Sequence, residues 1–208
     1  MRSHPLRRAG NPLTAIGQIG GHLKRGIKHP IGPKTNKAMM LVSALPLAPG
    51  SDRMVLAFMD RSAPGETFDE QPHKGDNCVM IVPRSEVHLS IVNGVCLGDV
   101  KGVKVDYGEP VEEPTDLDVD NTGMDMAASD RWVDLVDELG VDCTKVGGYP
   151  LWANAPIDVE RLCGRTLVFH HRITSDLTDF KLGDGGVIFV FVDEDLTGGA
   201  LCWQQSRY

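Results

Sequence analysis

A glycine pair, a proline and two apolar runs recur in the same order in the two halves of the chain. In the first half these are Ile19-Gly20-Gly21-His22, Pro30, Met39-Met40-Leu41-Val42 and Met54-Val55-Leu56-Ala57-Phe58-Met59-Asp60. In the second they are Val146-Gly147-Gly148-Tyr149, Pro156, Leu167-Val168-Phe169-His170 and Val187-Ile188-Phe189-Val190-Phe191-Val192-Asp193. The offset is 127 residues at the glycine pairs, 128 at the first run and 133 at the second, so the second copy holds a few extra loop residues. A repeated unit implies one core assembled from two similar halves.

Length fits that picture, since 208 residues suit one large domain or two fused small ones. Abundant glycine and few aromatics favour a turn-rich, mixed or mostly β protein. No stretch approaches the roughly 18 apolar residues of a membrane span. Asn, Pro and Gly break residues 9–21, which argues against a secretory signal and confines any organellar leader to the first dozen or so residues. The five cysteines form no C-x-x-C pair, so reduced thiols in a cytoplasmic protein are expected rather than a disulfide frame or a zinc site.

Charge is segregated. Residues 1–40 hold eight Lys/Arg and no Asp/Glu, whereas 106–144 hold thirteen Asp/Glu against one Arg. Such an acidic block is a solvated surface, a face for a basic partner, or a counterpart to the basic first segment. The chain then divides into an irregular basic arm (1–18), a first repeat half (19–105), an acidic linker with a helix (106–144) and a second repeat half (145–208), all in one domain. In the linker, Ser129 and Asp130 cap a helix whose stripe is Trp132, Leu135, Val136 and Leu139, and Gly140 ends it. The stripe is expected to pack on a sheet, with Asp134, Asp137 and Glu138 facing water. Each half reads as a Gly-Gly turn followed by at least three strands in a meander.

Three segments together, Lys145-Val146-Gly147-Gly148-Tyr149-Pro150 with Trp152, Gly186-Val187-Ile188-Phe189-Val190-Phe191, and Cys202-Trp203-Gln204-Gln205-Ser206, resemble the YwqG-like family, a bacterial family of largely unassigned function. The resemblance covers residues 145–206. In the first half Leu23 and Lys24 stand where the family has a proline after the double glycine. The resemblance implies an α+β protein with duplicated antiparallel sheet regions and an association with toxin–immunity loci. It supplies no catalytic residues.

Searches for chemistry return little. There is no phosphate loop, no nucleophile elbow and no H-E-x-x-H helix. Asp116, Asp118 and Asp120 imitate the start of a calcium loop, but Gly123 and Ala127 occupy the wrong positions, so an acidic linker is expected. His170 and His171 lie on a strand, where neighbours point to opposite faces, so one is expected buried and the other exposed. Asp193, Glu194 and Asp195 read as a solvated turn. The basic segment lacks interleaved aromatics, which argues against nucleic acid.

The expectation is therefore an α+β fold of two repeated, mainly antiparallel sheet units with few helices. Its function is read as a non-enzymatic immunity protein that neutralises a basic toxin through Asp134, Asp137, Glu138, Asp118 and Asp120, with no cofactor, metal or membrane involved. Two alternatives stand beside it. One is a small-molecule or peptide module whose inter-repeat cleft is lined by Tyr149, Trp152, His170, Trp203 and Gln205. The other is a hydrolase using His170 or His171 with Asp193 or Glu194.

Overall fold

The computed structural model describes residues 1–33, 35–60, 75–90, 101–115, 126–153, 155–178 and 185–205. Its strands are β1 (Arg2–Arg8), β2 (Gly17–Ile19), β3 (His22–Gly26), β4 (Met40–Pro46), β5 (Arg53–Met59), β6 (Asn77–Pro83), β7 (Val87–Ser90), β8 (Val103–Tyr107), β9 (Val111–Glu112), β10 (Lys145–Gly147), β11 (Leu167–Ile173), β12 (Val187–Asp193) and β13 (Gly199–Gln204). Two α-helices, α1 (Met126–Leu139) and α2 (Val159–Cys163), and a short 3-10 helix at Arg84–Glu86 complete the set among the described residues. Ten strands close into one antiparallel barrel in the order β10-β11-β12-β13-β6-β5-β4-β2-β8-β1, and β1 returns to β10. β9 adds to β1 outside the ring, and β3 pairs with β7 in a separate two-stranded sheet.

This overturns the α+β expectation of two repeated sheet units. With 44% strand against 14% helix the class is mostly β. Neither meander keeps its own edges: β6 pairs with β13 and β8 with β1, so each half seals the other and neither meander is an open sheet of its own. Closure removes the unpaired edges that two open sheets would expose.

Within the ring the registers correspond. Leu41 pairs with Phe58 and Phe169 with Phe191, and each pairing is followed by a bulge, between Leu41 and Ser43 in one meander and between Phe169 and His171 in the other. Ile19 pairs with Ser43 on one side and Val103 on the other, and Val146 pairs with His171 and His4. β1 thus stands to the second meander as β8 stands to the first, although it opens the chain. At their shared seam Leu6 faces Tyr107 and Arg8 faces Val105. These registers give the barrel an approximate two-fold axis. Residues 1–18, expected as an irregular arm, instead contribute β1 and the start of β2.

The runs that read as continuously apolar are buried on both faces, as β12 is at every residue. One face fills the interior with residues such as Val42, Val55, Val146, Ile188 and Trp203. The outer face of β4 and β5 is covered by β3 and β7, with Leu23, Leu41 and Phe58 in one cluster. The outer face of β11–β13 is covered by Val159 of α2 and by Trp152. Helix α1 ends before Gly140, which holds φ +60. Its stripe does not meet a sheet face as expected. Trp132, Leu135, Val136 and Leu139 pack on Val111, Val141, Tyr149 and Leu151, and only Val136 is buried. Of the residues it packs on, Val111 lies on β9 and the others on the segments either side of β10, so α1 docks there while α2 and the β3–β7 pair cover the outer apolar faces of the barrel.

Candidate functional site

The exposed side of α1 carries Asp130, Asp134, Asp137 and Glu138, all exposed. Among the described residues none of their carboxylates has an ion pair or a hydrogen bond. Met126 and Val133 are exposed on the same helix. Asp118 and Asp120 lie outside the described residues. The opening of the acidic block does meet the basic first segment, since Arg2 Nε stands 3.4 Å from Glu112 Oε1, but both side chains are largely solvated.

One residue on, the environment inverts. Glu113 and Lys145 form an ion pair in which neither side chain is exposed. The other Glu113 oxygen accepts the Tyr149 backbone N–H at 2.7 Å. The Gly147-Gly148 turn makes room for it: both glycines hold φ +73, and a Cβ on Gly148 would collide with the Glu113 carboxylate. Burial pushes the Lys145 ammonium down from its ordinary pKa, and the Glu113 hydrogen bond opposes that shift. Arg172, opposite Lys145 across the strand pair, donates from Nη2 to Asp142 at 2.8 Å. Gly148→Ala is expected to cost about 1–3 kcal/mol by forcing a side chain into this left-handed, filled position. A thermal melt unchanged from the parent would show that the turn relaxes freely.

The two histidines depart from the opposite-face expectation. The bulge between Phe169 and His171 turns both rings the same way, and their Nδ1 atoms stand 2.6 Å apart. His171 Nε2 lies 2.8 Å from Ser43 Oγ, and His170 Nε2 lies 3.1 Å from the carbonyl oxygens of both Pro46 and Leu47. β4 and β11 are five strands apart in the ring in either direction, so the Ser43–His171 contact spans the barrel. A round ten-strand barrel is too wide for that contact; the cross-section is flattened toward the roughly 10 Å spacing of packed sheets. Only one neutral proton arrangement satisfies every contact. His170 Nε2–H donates to the carbonyls, His171 Nδ1–H donates to His170 Nδ1, and the Ser43 hydroxyl donates to His171 Nε2. Burial lowers the His170 pKa to about 4, against opposition from its backbone hydrogen bonds. Burial, and then the neighbouring His170, hold His171 well below the ordinary value.

This order of donors is that of a hydroxyl activated by a general base. Ser43 and His171 have no exposed surface, however, so this conformation offers the hydroxyl to no substrate. The carboxylates considered beside the histidines are elsewhere. Asp193 is buried, accepting from Arg165 Nη1 at 2.8 Å and Thr197 Oγ1 at 3.1 Å, and Glu194 is exposed. The five cleft residues are divided by the barrel wall. Tyr149 packs under α1, and Trp152 lies on the outer face, 4.6 Å from the Phe189 ring. Trp203 and His170 belong to the interior, and Gln205 is half-buried just past β13. Ser43 and Glu113 carry no local sequence signal of their roles, one being a serine in an apolar run and the other one acid among many.

No protein-family model, curated protein or solved structure matches the chain.

Proposed function

We propose that the chain is a non-enzymatic binding protein that engages a basic protein partner through the acidic face of α1. The observation that carries this reading is the row Asp130, Asp134, Asp137 and Glu138, exposed and without internal counter-ions among the described residues. Carboxylates with no internal partner among the described residues are available to speed encounter with a cation-rich surface. Met126 and Val133 supply apolar contact beside them. The YwqG-like resemblance extends the proposal to a bacterial toxin as the partner and to an immunity role.

The test is a triple charge reversal, Asp134→Lys, Asp137→Lys and Glu138→Lys, assayed against the co-expressed product of the neighbouring gene. The buried Val136 is untouched, so the fold should survive. The association rate is expected to fall about tenfold or more at low salt, with the gap closing above roughly 0.15 M ionic strength. An unchanged rate at low salt would remove the acidic face from the binding site.

A further inference from the structure

We propose that the Ser43–His171–His170 chain is an acid-sensitive latch, which ties the two broad faces of the barrel together and lets go when either imidazole takes a proton. Ser43 sits on β4 and both histidines on β11, strands on opposite sides of the ring. Equivalent bulges in the two meanders deliver them, so the contact lies on the approximate two-fold axis, where one polar link bridges the whole interior.

The chain has no place for an added proton. If His170 Nδ1 is protonated, two N–H groups face each other across 2.6 Å. If His171 Nε2 is protonated, the Ser43 hydroxyl must turn to accept from it, and the hydroxyl's own proton loses its acceptor in an apolar interior. Nothing nearby compensates. The interior side chains of β2, β5, β8, β10 and β12 around the pair are Ile19, Val55, Ala57, Val105, Val146 and Val190, all apolar. β6 and β13 add Val79, Leu201 and Trp203. Ser43 is the polar group facing it from β4. Other titratable groups on the inner side among the described residues are His4 and Tyr107, tilted against each other at the β1–β8 seam with ring centroids 5.1 Å apart, and two arginines at strand ends, exposed Arg8 opposite Val105 and Arg53, which donates to the Leu196 carbonyl. No carboxylate acts on either latch histidine. An imidazolium here would be a buried, unpaired charge.

The experiment follows the unfolding equilibrium of the full chain in urea between pH 7.5 and 5.0. One histidine held neutral in the fold makes the unfolding constant rise about thirtyfold over that range, and two make it rise further. The variant Ser43→Ala, His170→Leu, His171→Leu removes the three polar side chains together, which spares the core an orphaned side chain and withdraws one donor from the Pro46 and Leu47 carbonyls. Its unfolding constant should change several-fold less over the same range, while His4→Gln, which removes an imidazole that burial also lowers but that is only half-buried, should keep most of the parent's response. Nitrogen-15 histidine spectra of the parent serve where the triple variant does not fold. They should show neutral His170 and His171, with the proton on Nε2 and Nδ1 respectively, for as long as the barrel persists. Three results would overturn the latch: a pH response in the triple variant equal to the parent's, an imidazole of the pair that titrates near 6.5 with the fold intact, or labelling of Ser43 by a fluorophosphonate at pH 7.5, which would make the chain a nucleophile's relay.

Discussion

Lys145→Met is expected to cost the fold about 3–5 kcal/mol. The substitution keeps an unbranched apolar stem and removes the terminal ammonium, with its charge and its donors. What it leaves is the Glu113 carboxylate with no exposed surface and, among the described residues, a single remaining donor, the Tyr149 backbone N–H. A buried ion broken on one side is costly because the surviving charge keeps its desolvation penalty and loses its partner. Urea denaturation at neutral pH measures the effect. Adding Glu113→Gln to the same chain should recover a good part of the loss, since the amide carries no charge and still accepts from Tyr149. A single variant within about 1 kcal/mol of the parent would mean that water or a neighbouring cation replaces the ammonium. Arg172, paired with Lys145 in the β10–β11 register, is the neighbour placed to do so.

Removal of residues 1–8 should have a larger effect: the barrel should lose its cooperative unfolding transition altogether. β1 is the one strand that joins β8 to β10, and it also carries β9. Without it the ring opens along two edges, and the interior positions of β8 and β10, Val105 and Val146, face water. A synthetic peptide of residues 1–9 added in trans should restore a sigmoidal transition, because main-chain pairing supplies the affinity in strand addition. A truncated chain that melts cooperatively on its own would show that β8 and β10 meet directly and that β1 is dispensable.

The strands were the legible part of the fold. Runs such as Met54–Met59 and Val187–Val192 are apolar at consecutive positions because both faces are covered, and that pattern survives in a single sequence. Closure was not legible. β1 reads Arg-Ser-His-Pro-Leu-Arg-Arg, with two buried residues among seven, and what makes it a stave is its neighbours rather than its composition. The helix was legible in its stripe and its terminal glycine but not in its docking, because a stripe specifies a partner surface without identifying it. The bulges mattered most for the site. A single extra residue reverses which side chains share a face, and nothing in Val168-Phe169-His170-His171 announces it. Ser43 and His171 are likewise partners only because two strands far apart in sequence lie opposite in the ring. The acidic face of α1 was readable directly, since charge on a helix needs no tertiary context.

The position of β1 also bears on biosynthesis. The second half of the barrel takes its last stave from a strand made well before the rest of that half, and that stave has no ring partner until β8 has been made. At roughly 5–20 residues per second, β1 waits on the order of five to twenty seconds before residue 107 completes β8. A waiting edge strand is a template for other nascent chains. Arg2, Arg7 and Arg8 place like charges along it, and Pro5 removes a donor from its middle, so the basic opening of the chain guards the segment during the interval in which it has nothing to pair with.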